Sequence, residues 1–97
     1  MYKKSRGNKM NILAKGNSMF PTLKDGELYN LVLLENGNVD IGDIIVYCVN
    51  DIIICHRIIN IIQSKDNTLF LVTKGDNCAE SDPYAVTLDK VIGKIII

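Results

Sequence analysis

The chain has 97 residues, zero formal net charge, 47% hydrophobic residues and 23% charged ones. That supplies one core in one domain over residues 1–97, with little apolar material left for a second. Balanced charge argues against nucleic acid as the main partner, since binding phosphates takes a basic patch, and no run reaches the roughly 18–20 apolar residues of a membrane span.

The one basic stretch is the start, MYKKSRGNK, with Lys3, Lys4, Arg6 and Lys9. Residues 1–9 read as a flexible, solvated terminus; the alternative is weak attraction to an anionic membrane surface or an acidic peptide. The apolar piece behind it, residues 10–14, is broken by Asn11 and is too short for the roughly 7–15 residues of a secretory h-region. The expected location is cytoplasmic or peripheral at a membrane. Cys48, Cys55 and Cys78 are odd in number and form no CxxC pair, which disfavours structural zinc and fits free thiols in a reducing compartment. No metal or cofactor is expected.

Isoleucine and valine dominate, with no long 3.6-residue period. Short β-branched runs separated by Gly, Asn and Asp clusters predict an all-β (mainly β) domain. The predicted strands cover residues 11–14, 28–34, 43–49, 52–62, 69–73 and 91–97. Between the third and fourth, Asn50-Asp51 suits a tight two-residue hairpin, because both residues accept positive φ. Long apolar runs such as IIIC, residues 52–55, suggest strands covered on both faces, as in a barrel or two packed sheets. ENGNVDIGD (35–43) and GDNCAESDP (75–83) read as turn-rich loops. The terminal GKIII reads as an edge strand or docking surface, with burial in the sheet as the default for isoleucine.

Four polar residues stand out against this background. Ser18 lies in GNSMFPTLKDGE, residues 16–27. Gly16 and Asn17 favour a turn, Met19 and Phe20 put apolar groups directly behind it, and Pro21 stiffens the chain. His56, the single histidine, lies within an apolar strand, where a structural role is the ordinary one. Alternation places it on one face with Ile54 and Ile58, and Cys55 and Arg57 on the other, so Cys55 and His56 do not form a thiolate–imidazole pair. Asp76 and Asp82 sit in the loop after the fifth strand, where an Asp ordinarily stabilises a turn. Together they supply a nucleophile, a base and a choice of two carboxylates, a set whose geometry is independent of chain order.

GNSMFPTLKDGE, GDIIVY, CHRII and TKGDNCAESD, in that order from Gly16 to Asp82, resemble the signal peptidase I family and its self-cleaving LexA-like relatives. The resemblance implies a small, barrel-like β domain of packed antiparallel sheets. It also implies a serine endopeptidase that removes a signal or leader peptide from a precursor, with small residues favoured one and three positions before the cut. His56-Arg57-Ile58 resembles the branch with a histidine base in place of a lysine. By the same match Asp82, six residues after Asp76, is the carboxylate that orients the base, and Asp76 supports the site. Met19, Phe20 and Pro21 are expected to meet substrate.

Three departures stand beside the resemblance. Gly16 takes the place of a serine that helps the oxyanion hole in signal peptidases, as in LexA-like proteins, leaving more of that task to the Ser18 N–H. Cys78 stands where the branch often has asparagine. The transmembrane anchor usual in signal peptidases is not expected here, so a membrane-anchored partner could supply it. The expected partner otherwise is the precursor peptide or protein substrate. Two alternatives share the fold: a non-catalytic module that holds a peptide or partner in the same cleft, and a self-cleaving domain.

Overall fold

Seven strands and one 3₁₀ turn run through the described part of the chain, residues 9–34 and 38–97 of this computed structural model. The basic start expected over residues 1–9 lies outside the described residues apart from Lys9, and so do residues 35–37 of the expected loop. The strands are β1 (Lys9–Leu13), β2 (Leu28–Leu33), β3 (Ile44–Val49), β4 (Ile52–Gln63), β5 (Leu69–Lys74), β6 (Ala85–Thr87) and β7 (Val91–Ile96); the 3₁₀ turn is Leu88–Lys90. They form one antiparallel sheet in the order β1-β2-β7-β3-β4-β5-β6. The all-β, antiparallel expectation holds, with a single continuous sheet in place of separate packed ones.

The six predicted strands are present, with ends displaced by a residue or two. β6 was not predicted. It is three residues long and directly follows the Asp82-Pro83 turn, below the length at which alternation registers. The terminal strand, β7, lies inside the sheet between β2 and β3. Ile95 is buried there, and only Ile96 and Ile97 emerge at its end.

The β3–β4 connection is the expected two-residue hairpin. Val49 pairs with Ile52, and Asn50 and Asp51 have φ of 50° and 65°. Two positive φ values match the right-handed twist of the flanking strands.

Alternation along β3 divides its side chains between two clusters. Ile44 and Val46 pack with Met19, Leu23, Leu31 and Ile95 on one side. Ile45 and Tyr47 pack with Ile58, Leu71 and Val86 on the other. β3 is therefore covered on both faces, as its unbroken apolar run implies.

The same reading of IIIC is corrected: Ile52 and Ile53 are 60% and 54% exposed. β7 reaches β3 only from Ile45 to Tyr47, and β5 meets β4 only from Arg57 onward. The hairpin tip thus projects beyond the strands that would cover it.

β4 serves two neighbours in turn. Residues 52–57 pair with β3 and residues 57–63 with β5, with a register shift between Ile58 and Asn60. A bulge of this kind bends a strand and strengthens its twist. His56 lies just before that bend.

Candidate active site

The Ser18 loop is closed at its neck and anchored at its base. The Ala14 N–H donates to Glu27 O at 2.9 Å and the Gly26 N–H to Ala14 O at 2.8 Å. Met19 and Leu23 are buried in the core shared with Leu31 and Val46. Gly16 has φ +84° and its N–H donates to Asp25 Oδ1 at 2.7 Å. Space is open where a Cβ would stand, so the left-handed backbone, and no steric limit, is what favours glycine at this position. That N–H is occupied, whereas the Ser18 N–H donates to no acceptor among the described residues.

Three side chains from separate segments converge beside this loop. Ser18 Oγ lies 3.1 Å from His56 Nε2, and His56 Nδ1 lies 2.7 Å from Asp82 Oδ2. An ionised carboxylate has no proton to give, so the ring's N–H is at Nδ1. Nε2 is then the acceptor for the Ser18 hydroxyl. His56 is buried on the face of β4 shared with Ile54 and Ile58, while Cys55 packs against the opposite cluster, as alternation predicts. Burial, and secondarily the charge of Asp76, pushes the Cys55 thiol up to about 12, so it is a neutral thiol at physiological pH.

Asp82 reaches His56 because its own N–H donates to Thr73 O at 2.8 Å. Its Oδ2 also accepts from Thr73 Oγ1 at 2.7 Å and Tyr47 Oη at 3.2 Å.

Asp76 takes a different place. Arg57, on the face of β4 opposite His56, donates from Nε to Asp76 Oδ1 at 2.8 Å and from Nη2 to Oδ2 at 2.7 Å. Thr22 Oγ1 donates to the same Oδ2 at 2.6 Å, and Arg57 Nη1 donates to Gly42 O at 2.8 Å. Next in sequence, the Asn77 N–H donates to Ser18 O at 2.8 Å and Asn77 Nδ2 to Asn17 O at 3.0 Å. The segment after β5 is thereby sewn to the Ser18 loop, with Arg57 tying both to the β2–β3 connection. Lys74 Nζ donates to Gly75 O at 3.3 Å and makes no hydrogen bond to Ser18 among the described residues.

The Arg57 hydrogen bonds, aided by Thr22 and the nearby charges of Arg57 and Lys74, lower the Asp76 carboxyl to about 2 from 3.8. Between about pH 4 and pH 2 the unfolded chain takes up this proton and the folded chain does not. The stabilisation is complete above that window and is lost as pH falls through it. With Arg57 a third exposed (32%), solvent screening reduces the effect to about 1–2 kcal/mol. Asp76→Asn should melt lower than wild type at pH 7 and converge with it near pH 2. Melting curves that stay apart throughout that range would refute the linkage.

Beside Ser18 and His56 opens a groove of about 550 Å³, mainly apolar, with Ile12, Leu13 and Ala14 on one wall and Ile53, Ile54 and Cys55 on the other. Met19 lines its floor; Phe20 and Pro21 are exposed and lie outside the lining. Among the described residues, β1 is the end strand of the sheet, and β4 has no partner on its second edge before Arg57. The groove thus runs between two strand edges with free main-chain groups.

Ser18, His56 and both aspartates were selected from the sequence. Thr22, Tyr47, Thr73 and Asn77 were not, because a hydroxyl or amide in a strand or turn carries no signal until its partner across the fold is known.

Comparison with curated proteins finds the chain 38% identical over 68 residues to the signal peptidase complex catalytic subunit SEC11 of Plasmodium falciparum (isolate 3D7). The matched segment is 68% of this chain and 36% of that protein, so the chain spans about a third of the length of the relative it matches. No family model matches the chain. The similarity supports kinship with the signal peptidases. Among the described residues, no helix is long and apolar enough to cross a membrane.

Proposed function

We propose that this chain is a serine endopeptidase of the signal peptidase I family, in its histidine-base branch, that cleaves a signal or leader peptide from a precursor. The observation that carries this reading is the relay Ser18 Oγ–His56 Nε2 and His56 Nδ1–Asp82 Oδ2, at 3.1 and 2.7 Å, at the edge of an apolar groove.

In this reading Ser18 Oγ attacks the scissile carbonyl while His56 Nε2 takes its proton. The Ser18 N–H receives the developing oxyanion. The imidazolium passes the proton to the leaving amine, and a water deprotonated by His56 releases the acyl group and regenerates Ser18. Asp82 holds the tautomer and balances the imidazolium charge without taking the proton itself. Asp76 and Gly16 shape the loop. The substrate enters as an extended strand between β1 and the first half of β4, where main-chain hydrogen bonds supply affinity and shallow pockets select small side chains. A membrane-anchored partner would bring the site to precursors at a membrane.

The test presents purified protein with a library of precursor-like peptides containing Ala-x-Ala and reads cut sites by mass spectrometry. Cuts after small residues that require Ser18 support the proposal. Peptides that bind and stay whole would identify a binding module, and a shortened protein mass would identify self-cleavage.

A further inference from the structure

Behind the Asp82–His56 pair lies a group of buried hydroxyls that the proposed mechanism leaves unused. Tyr47, from β3, and Thr73, from β5, are both fully buried. β3 and β5 flank β4 on opposite sides, so the two hydroxyls approach from either side of the strand that carries His56. Both converge on Asp82 Oδ2, the oxygen that His56 Nδ1 also uses. Tyr84 Oη stands behind them, 3.0 Å from Tyr47 Oη, with the two rings edge-on at 6.3 Å.

Proton counting orders the group, since each hydroxyl has one hydrogen to give. Thr73 Oγ1 is 2.7 Å from Asp82 Oδ2 and 3.2 Å from Tyr47 Oη, so its proton goes to the carboxylate. Asp82 Oδ2 can only accept, so the Tyr47 proton goes to it at 3.2 Å when the Tyr84 hydroxyl, 3.0 Å from Tyr47 Oη in a contact that can run either way, is the donor there. Burial holds the Tyr47 phenol well above its ordinary range, so it remains a donor at every working pH.

The geometry points to Thr73 and Tyr47 as positioning residues that set how tightly the Asp82–His56 pair holds its proton. The inference rests on the reading of His56 as the base. Two hydroxyl donors on Oδ2 draw its charge away from Nδ1, so the carboxylate stabilises the imidazolium less than a bare one would. Removing either donor therefore leaves more of the carboxylate's charge facing Nδ1. Among the described residues, the ionisable groups near the ring are few. Asp82 comes from the segment before β6, Tyr47 from β3, and Tyr84 stands behind it. Cys78 Sγ and His56 Nε2 both flank Gly75, whose carbonyl holds Lys74 Nζ. Arg57, Asp76 and Cys55 belong to the opposite face of β4, where the first two pair with each other.

His56 is the only histidine, so its ring resonances can be followed through a pH titration by NMR without assignment and without substrate. Tyr47→Phe and Thr73→Val should each move the midpoint up by about half to one pH unit. Thr73→Ser, which keeps the hydroxyl, should titrate as wild type, and Asp82→Asn should move the midpoint down. Midpoints that are unchanged or lowered in both Tyr47→Phe and Thr73→Val would overturn the inference. If the protein also cleaves peptides, the acid limb of kcat/KM should move with the ring midpoint. Ring shifts as expected in a protein that cuts nothing would leave the hydroxyl effect standing and count against the protease reading alone.

Discussion

Ser18→Ala and His56→Ala should each reduce peptide cleavage by about 10⁴- to 10⁶-fold, and the double variant should be little worse than either single one. In the proposed mechanism the members of the relay fail together: without the hydroxyl there is no nucleophile, and without the imidazole the hydroxyl keeps its proton. The fold should survive the first change well. The Ser18 side chain makes its hydrogen bond to His56, whereas the loop is held by main-chain atoms, Ser18 O to the Asn77 N–H and Asn17 O to Asn77 Nδ2. His56→Ala empties a buried site and removes one of three donors to Asp82 Oδ2, so a stability loss of about 1–3 kcal/mol is expected. Circular dichroism melts beside the kinetics separate the two effects. Cleavage retained by a folded Ser18→Ala protein would end the serine assignment.

Gly75→Ala should lower kcat/KM by about 10²-fold or more, although the residue contributes no functional group. A Cβ there would stand 2.6 Å from Ser18 O, 2.7 Å from Cys78 Sγ and 3.1 Å from His56 Nε2. The thiol can swing aside. The Ser18 carbonyl is backbone and already accepts from the Asn77 N–H. Relief therefore requires the Ser18 loop and the segment after β5 to part, which pulls Ser18 from His56. A displacement of about 1 Å is enough for a loss of that size, and the overpacking itself costs about 1–3 kcal/mol. Adding Cys78→Ala should restore stability in part and activity little. A Gly75→Ala enzyme as fast as wild type would show that the two loops are not in the described contact.

What could be read from the sequence was whatever local spacing expresses. The Asn50-Asp51 hairpin and the division of β4 into a His56 face and a Cys55–Arg57 face follow from period two and turn chemistry. The ordered motifs add Ser18 and both aspartates to the histidine. Long-range pairing was out of reach. Nothing local says that β7 inserts between β2 and β3, that Arg57 takes Asp76, or that Tyr47 and Thr73 meet on one oxygen; the choice of Asp82 for His56 came from the resemblance and not from spacing. The exposure of Ile52 and Ile53 was missed for the same reason, because cover depends on where neighbouring strands stop. Phe20 and Pro21 show the limit of adjacency: being next to Ser18 in the chain does not put a side chain in the groove.

The Asn50-Asp51 turn is also a gauge for the site. It has two residues, both at positive φ, and it fixes which residue of β3 faces which residue of β4. His56 lies five residues after Asp51, with no other connection between. One residue inserted between the turn and His56 would rotate the strand's faces, putting Cys55 in the place of His56 beside Ser18 and the imidazole in the place of Arg57, toward Asp76. The chemistry proposed for Ser18 would thus depend on the length of a turn that touches none of the groups assigned to it. Mutational tolerance should differ accordingly: exchanges of side chain at residues 50 and 51 that keep the turn would be silent, and changes of length there would be null.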